Sequence, residues 1–284
     1  FVSVGLLFSM GGGQWRSQWR SQWRSQWRHP RREDLVTFIS RDKQTIFVHL
    51  LKCGGTSIEL ALDQAMAWDD LLLGSSSYGK QIQSVYQDRF GLYKHSSAGE
   101  IKAVVGDDFW NDCFTFSVVR HPIDRIVSFY AYLKTYYLGG YRGSVVKLMF
   151  YLDQMNLVPK ALTRLPKLQD SFRWPGVTAC LKSSSVSEFI HQKQCWESYG
   201  MQSQFHQLAD EAGEALIVDY VCRLEDLNQN WDFICDQIGV AIPLPHANKS
   251  KRKYKDWREY FSLDDINLLE SHYQADIEKF GYSV

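Results

Sequence analysis

The sequence predicts an α/β fold: a single domain in which helices flank both faces of a central, mostly parallel sheet. Two segments support this prediction. In each of them a run of apolar residues is followed by a short interruption and then by a predicted helix. Residues 45–51 and 114–119 have the nearly continuous apolar character of buried parallel strands. Strands that alternate with helices form a sheet covered on both faces.

The breaks after these two strands differ in kind. Residues 52–57 form a glycine turn, and strong helix formers then predict a helix over residues 58–66. The second strand ends in an Arg-His-Pro sequence whose Pro122 suits the first turn of a helix. Apolar residues spaced three and four apart continue that helix over residues 123–137.

The rest of the domain follows a looser pattern. Residues 215–220 are predicted to form a third strand, and the last helix begins at Ser262, where Asp265 completes a capping box. Glycines and prolines are frequent over residues 138–175. We interpret this stretch as an insertion with at most short helices and as a candidate lid that binds an acceptor substrate.

Residues 1–32 are predicted to be a separate, disordered arm, and residues 33–284 to be the folded domain. A four-residue repeat of the arm places tryptophan at positions 15, 19, 23 and 27. The arm also holds six arginines and no acid, which leaves 26 basic against 32 acidic residues in the domain, a net charge of −6. Any basic site in the domain is therefore local, nucleic-acid binding is disfavoured, and membrane contact is expected only through the arm.

The sequence disfavours two further classes of protein. It contains no apolar run of 18 residues, so it predicts no membrane-spanning helix. Its six cysteines include no Cys-x-x-Cys pair, which argues against a zinc ribbon or a thioredoxin-type site.

The first candidate site is the turn Lys52-Cys53-Gly54-Gly55-Thr56-Ser57. Glycines at a strand-to-helix junction let backbone N–H groups approach an oxyanion, and the helix N-terminus adds a partial positive charge. The turn is not a Walker A loop, because Lys52 precedes the glycines instead of following them. The alternative is an ordinary turn that happens to contain two glycines.

The second candidate site begins at Arg120, at the carboxyl end of the second strand, where open α/β sheets bind ligands. Arg120 can bind two oxygens of a phosphate, while Ser128, about two helical turns later, supplies a third donor. The alternative is a structural arginine paired with Asp124.

Together these motifs resemble the sulfotransferases that use 3′-phosphoadenosine 5′-phosphosulfate (PAPS), in particular the family related to heparan sulfate 2-O-sulfotransferase and other carbohydrate sulfotransferases. The sequence from Phe47 to Ser57 matches the family's Phe-Ile-His-x-x-Lys-x-Gly-Gly-Thr-Ser strand and turn, with Leu51 where many relatives have proline. The sequence from Arg120 to Tyr130 fills every named position of Arg-x-Pro-x-x-Arg-x-x-Ser-x-Tyr.

The resemblance implies a P-loop-like domain that binds PAPS without metal, transfers its sulfuryl group to a hydroxyl of a glycan and releases PAP. Lys52 and the glycine turn would bind the 5′-phosphosulfate, and Arg120 with Ser128 the 3′-phosphate. His95 would be the catalytic base, although it can also be read as a surface residue. The fallback bases are Glu59 and Asp63, and a basic loop would cover the cofactor with Lys249, Ser250 and Lys251.

Two other functions remain open: a P-loop kinase or NTPase, and a catalytically silent relative that binds glycans. The first would need a Walker-type lysine, which the sequence lacks. The second would lack Lys52 or the base, and both are present. The sequence does not choose between the Golgi lumen and the cytoplasm.

Overall fold

A five-stranded sheet forms the centre of the computed structural model, which describes residues 37–74, 77–158, 171–245 and 252–284. The strands are β1 (Phe38–Ser40), β2 (Thr45–Val48), β3 (Leu71–Leu72), β4 (Phe114–Val119) and β5 (Tyr220–Arg223). Their order is β3-β1-β2-β4-β5; β2, β4 and β5 run parallel, whereas β1 pairs antiparallel with β2 and β3. The predicted α/β fold is confirmed, with an antiparallel extension at one side of the sheet.

The parallel register brings the two candidate sites to one edge of the sheet. Phe47 of β2 lies opposite Phe116 of β4, and Phe116 lies opposite Tyr220 of β5. Because the carboxyl ends of parallel strands meet at the same edge, the turn after β2 and the Arg120 segment after β4 are neighbours.

Helices surround the sheet and extend beyond it. They are α1 (Gly55–Leu62), α2 (Ser77–Phe90), α3 (Ala98–Val105), α4 (Asp107–Asp112), α5 (Pro122–Tyr132), α6 (Gly140–Gln154), α7 (Pro175–Leu181), α8 (Val186–Ile190), α9 (Lys193–Trp196), α10 (Gln204–Leu208), α11 (Leu227–Ile238), α12 (Leu263–His272) and α13 (Gln274–Phe280). Ile58 of α1 and Trp231 of α11 pack on one face of the sheet, whereas Ile101 of α3 and Trp110 of α4 pack on the other. A third apolar cluster joins α5–α9 and α12.

The predicted helix starts are largely confirmed, but the helices end differently. A 3₁₀ turn (Asp63–Ala65) continues α1, and a π-helical turn (Leu133–Tyr137) continues α5. The Ser262–Asp265 capping box begins α12 as expected. The predicted third strand over residues 215–220 is wrong: residue 216 forms only an isolated bridge to Ala209, and β5 begins at Tyr220.

The prediction of only short helices over residues 138–175 is also wrong, because α6 has 15 residues. Its glycines allow close backbone approaches instead of loops. A Cβ atom at Gly139 would lie 2.4 Å from the Thr135 carbonyl oxygen, and one at Gly143 would lie 2.1 Å from the Leu138 carbonyl oxygen. The predicted lid stays a prediction, since residues 159–170 lie outside the described residues.

Two further sequence predictions fall wholly or partly outside the described part of the chain. The N-terminal arm is one, and the division into arm and domain therefore stays a prediction. The basic loop with Lys249, Ser250 and Lys251 is the other. Within the described ranges, no helix has the length and apolar character needed to cross a membrane. All six cysteines are buried and free of disulfide bonds.

Candidate anion-binding and catalytic site

The turn after β2 has a left-handed backbone at two positions. Lys52 and Gly54 both have positive φ angles, 66° and 79°, and Gly54 is the N-cap of α1. No side chain in the described ranges caps this helix, and the Ser57 N–H donates to the Gly54 carbonyl oxygen at 3.0 Å. An uncapped helix N-terminus carries a partial positive charge that favours an anion.

The two glycines of the turn are required by their neighbours. A Cβ atom at Gly55 would lie 1.9 Å from Nε2 of His49, and one at Gly54 would lie 2.5 Å from Cδ1 of Leu224. The imidazole of His49 therefore packs directly on Gly55, at the start of α1. The alternative reading of an incidental glycine pair does not account for these approaches.

Lys52 is the cation of this turn. Its Nζ lies 4.6 Å from the centre of the Tyr132 ring. Burial, together with the positive charges of Arg120 and Lys94, lowers its pKa from 10.5 to about 8. A lysine with such a pKa lies among excess positive charge, which an anionic ligand would relieve.

Arg120 follows β4 and contacts the first turn directly. Its Nη1 donates to the Lys52 carbonyl oxygen at 3.2 Å, while its Nε and Nη2 lie 2.7 and 2.6 Å from Oδ2 of Asp124. The structural pairing with Asp124 that the sequence left open is thus present. Ser128 lies two turns into α5 and is buried.

The described chain resumes at Arg252, the residue that follows the predicted basic loop. Arg252 forms an ion pair with Asp124, and its Nη2 lies 3.4 Å from Oδ2. The chain therefore returns to the Arg120–Asp124 pair immediately after Lys251. The two arginines together lower the pKa of the Asp124 carboxyl group despite its burial.

His95 is buried, which contradicts the alternative reading of a surface histidine. Its Nδ1 donates to the His49 carbonyl oxygen at 2.9 Å, and its own carbonyl oxygen accepts from the Tyr199 hydroxyl. Since Nδ1 carries the donated proton, a neutral His95 has its lone pair on Nε2. The two imidazole rings meet edge to face, with their centres 4.7 Å apart.

The fallback carboxylates have different surroundings. Glu59 is fully buried; its Oε1 forms an ion-pair contact with Nδ1 of His49 and lies 3.2 Å from Nζ of Lys94. Asp63 lies on the exposed 3₁₀ turn that follows α1. His49 is also buried. The structure adds that its remaining nitrogen, Nε2, faces Gly55.

Gln204 joins the two motifs and was missed by the sequence analysis. Its Oε1 accepts from the backbone N–H of Arg120 at 2.9 Å and from Sγ of Cys53 at 3.0 Å, and its Nε2 donates to the Arg120 carbonyl oxygen at 2.8 Å. Asp276 fixes Gln204 by accepting its backbone N–H at 2.9 Å. Gln204 and Asp276 follow no motif spacing, so only the three-dimensional structure identifies them.

Glu225 braces the same region from the 3₁₀ turn (Leu224–Asp226) that follows β5. Its Oε1 accepts from the His121 backbone N–H at 3.0 Å, and its Oε2 accepts from the Tyr282 hydroxyl at 3.1 Å. A cleft of about 340 Å³ lies along the outer edge of β5, between α11 and α13, and it includes none of the predicted site residues.

The described residues contain no group of three or more His, Cys, Asp or Glu side chains arranged to hold a metal ion. Comparison with known proteins gives one match: the model of the sulfotransferase family matches residues 36–283. No curated protein and no solved structure matches the chain. The family match covers both anion-binding motifs and every described element.

Proposed function

Because the chain belongs to the sulfotransferase family, we propose that it transfers the sulfuryl group of PAPS to a hydroxyl of a carbohydrate acceptor by in-line displacement. One observation carries the proposal: the hydrogen bond from Arg120 Nη1 to the Lys52 carbonyl oxygen joins two anion-binding motifs that are 68 residues apart. A nucleotide with one phosphate on the 3′ oxygen and another on the 5′ oxygen of its ribose suits two adjacent motifs of this kind.

The residues of the site fit PAPS. Lys52, Lys94 and Arg120 are close enough for the last two to lower the pKa of Lys52, although the domain as a whole is acidic. An anion bound among them would restore the pKa of Lys52 and favour its charged form. PAPS supplies the transferable sulfuryl group and a phosphate leaving group.

The roles of the chain's residues follow from their places. The turn from Cys53 to Ser57 offers backbone N–H groups and two hydroxyls to the 5′-phosphosulfate, and Lys52 stabilises the negative charge that grows on the departing phosphate oxygen. Arg120, oriented by Asp124 and Gln204, binds the 3′-phosphate together with Ser128. The loop with Lys249, Ser250 and Lys251 is proposed to cover the nucleotide.

His95 is proposed to take the proton of the acceptor hydroxyl on Nε2, because its Nδ1 is engaged with the His49 carbonyl oxygen. His49 is a second candidate base, since Glu59 engages its Nδ1 and its Nε2 faces Gly55. The two histidines lie side by side, so either proposal places the acceptor hydroxyl in the same small region.

An aromatic surface beside Lys52 supports a carbohydrate acceptor. Tyr132 stacks on Tyr136 with ring centres 5.3 Å apart and planes 14° apart. Both rings are half-buried, which leaves part of each to contact a ligand. Such rings are typical of binding sites in which apolar contacts hold a ligand and a few polar groups orient it.

Transfer of ³⁴S-labelled sulfate from PAPS to a panel of glycans, followed by mass spectrometry, tests this proposal. We expect labelled product with at least one glycan and none with the Lys52→Ala variant. Label on tyrosyl peptides alone would overturn the carbohydrate acceptor. PAPS-independent phosphate transfer from ATP would indicate the P-loop kinase alternative. Glycan binding without any transfer would indicate the catalytically silent alternative.

A further inference from the structure

The outward face of α6 is apolar, although the inward face of this helix is already packed in the core. Val146, Met149 and Phe150 are buried on the inward face. On the outward side lies a row that we call the α6 stripe: Tyr141, Val145, Leu148, Leu152 and Met155. These residues are spaced four, three, four and three apart, so they line one side of the helix.

Three residues of the α6 stripe are well exposed. The exposed fractions are 87% for Tyr141, 58% for Leu148 and 64% for Met155, and Tyr151, beside the stripe, is 57% exposed. Leu152 is half-buried, and Val145 is half-buried against the core cluster. Single exposed apolar residues are normal on protein surfaces, whereas a row of them marks an interaction surface. The exposed outer side of α6 is therefore suited to bind a partner.

Positive charge borders this row on both sides. Arg142 and Lys147 lie on opposite flanks of the stripe at about 100° per residue, and within the described ranges neither has a carboxylate oxygen within 4 Å. The one acid of α6, Asp153, is paired with Arg173 at 2.6 Å. Among the described residues, the cations Arg142, Lys147 and Arg173 and the anion Asp153 thus lie beside the stripe.

We propose that the α6 stripe docks on an anionic lipid surface, with the helix lying in the plane of the membrane interface, so that membrane contact is not confined to the N-terminal arm as the sequence led us to expect. Exposed Tyr, Leu and Met side chains enter the boundary between headgroups and acyl chains, while Arg142 and Lys147 meet anionic headgroups on either side. Charge disfavours a second copy of the chain as the partner, because two copies would bring like charges together.

The net charge of the domain explains why Arg142 and Lys147 are needed for docking on an anionic membrane. The domain from Glu33 onward has a net charge of −6, so an anionic membrane repels it as a whole. A local positive border overcomes this repulsion at one place and orients the domain, since the effect of exposed charges falls off within a Debye length.

The α6 stripe begins close to the aromatic surface beside Lys52. Cζ of Arg142 lies 5.3 Å from the Tyr136 ring centre, and Tyr136 stacks on Tyr132, whose ring contacts Lys52. Docking of α6 therefore holds the proposed acceptor side of the site near the membrane. The docking itself does not depend on the sulfotransferase assignment.

Co-sedimentation of the full chain with phosphatidylcholine vesicles, with and without phosphatidylserine, tests the proposal. We expect binding that requires phosphatidylserine and that falls at least about tenfold in the double variant Leu148→Glu/Met155→Glu. The matched control is Leu263→Glu/Leu268→Glu on α12, which adds the same charge at two other exposed leucines and should bind nearly as the parent does. All variants retain the N-terminal arm, so any contribution of the arm cancels.

A second variant examines the charges without altering the apolar row. Arg142→Gln/Lys147→Gln should weaken binding to phosphatidylserine vesicles severalfold, and thermal melting should show that each variant is folded. Equal binding by parent and α6 variants would overturn the proposal, as would no binding by the parent. Self-association that Leu148→Glu/Met155→Glu abolishes in the absence of lipid would assign the stripe to a second copy instead.

Discussion

Lys52 is held in an unusual state by its surroundings. A non-glycine residue with φ 66° costs of order 1 kcal/mol or more of backbone strain. The hydrogen bond from Arg120 to its carbonyl oxygen helps to keep it there. Strain and a lowered pKa at one residue are typical of functional sites, because neither benefits the fold.

The pKa of Lys52 leads to a prediction for the pH dependence of the reaction. The ammonium form binds the anion, and a pKa near 8 means that it is lost as pH rises through 8. We therefore expect kcat/KM for PAPS to fall above about pH 8, and this fall to be absent in Lys52→Arg, whose guanidinium stays charged. Initial rates at subsaturating PAPS would show this, and a flat profile to about pH 10 in the parent would count against it.

The two neighbouring histidines permit a direct comparison. His95→Ala is expected to lower turnover by about 10²–10⁴ and to remove the acidic limb of the pH–rate profile, as loss of a general base should. PAP affinity should stay nearly unchanged. If His95→Ala retains turnover and His49→Ala loses it, the base is His49, and the acceptor hydroxyl lies closer to Gly55.

At the scale of elements, the sequence predicted what continuous apolar runs determine. The strands β2 and β4 and the start of α5 lie close to where the pattern placed them, whereas α1 begins at Gly55, inside the predicted turn. The short strands β1 and β3 were missed, because three and two residues carry no periodic signal. The position of β5 depends on pairing with β4 through Tyr220, which the apolar character of residues 215–218 does not reveal.

The glycines at the start of α6 illustrate a different limit of prediction from the sequence. The sequence gives Gly139, Gly140 and Gly143 the appearance of a loop. In the structure, Gly139 and Gly143 instead permit close contact with carbonyl oxygens of the preceding π-helical turn. That turn also brings Tyr132 into contact with both Tyr136 and Tyr137, at i+4 and i+5. Tertiary contacts, which a single sequence does not display, decide this element.

The start of α1 offers a test of the glycine turn. Gly55→Ala places a methyl group where His49 Nε2 lies, so His49 must move. Overpacking of this kind costs about 1–3 kcal/mol of unfolding free energy and should also lower turnover. Gly99→Ala in α3 is the control, because its Cβ atom meets nothing within 4 Å and should stabilise the helix by up to about 1 kcal/mol. Equal urea midpoints for the two variants would contradict the close approach.

At the scale of the whole molecule, the site is a local positive region in an acidic domain. The motifs were recognisable because each is contiguous in sequence. Their connection was not, since Gln204 comes from a distant segment and bonds to the backbone of Arg120 and the thiol of Cys53, while Asp276, from another segment, holds the backbone of Gln204. The burial of Cys53 raises the pKa of its thiol to about 12, so this residue contributes to the turn as a neutral group.

Deletion of residues 1–32 should leave the domain intact. The family match begins at residue 36, and the first described strand begins at Phe38. We expect the melting temperature of the shortened chain to stay within about 2 °C of the parent and its PAP affinity to be unchanged. A large drop in melting temperature would show instead that the arm is needed by the domain.

The most direct measurement of the central claim is the calorimetric affinity for PAP compared with 5′-AMP, in the presence of a chelator. If Arg120 and Ser128 bind the 3′-phosphate, that phosphate contributes about 2–4 kcal/mol. PAP should then bind between about thirtyfold and a thousandfold more tightly than 5′-AMP, and Arg120→Ala should remove most of the difference. Equal affinities for the two nucleotides, or an unchanged preference in Arg120→Ala, would contradict the assignment of this site.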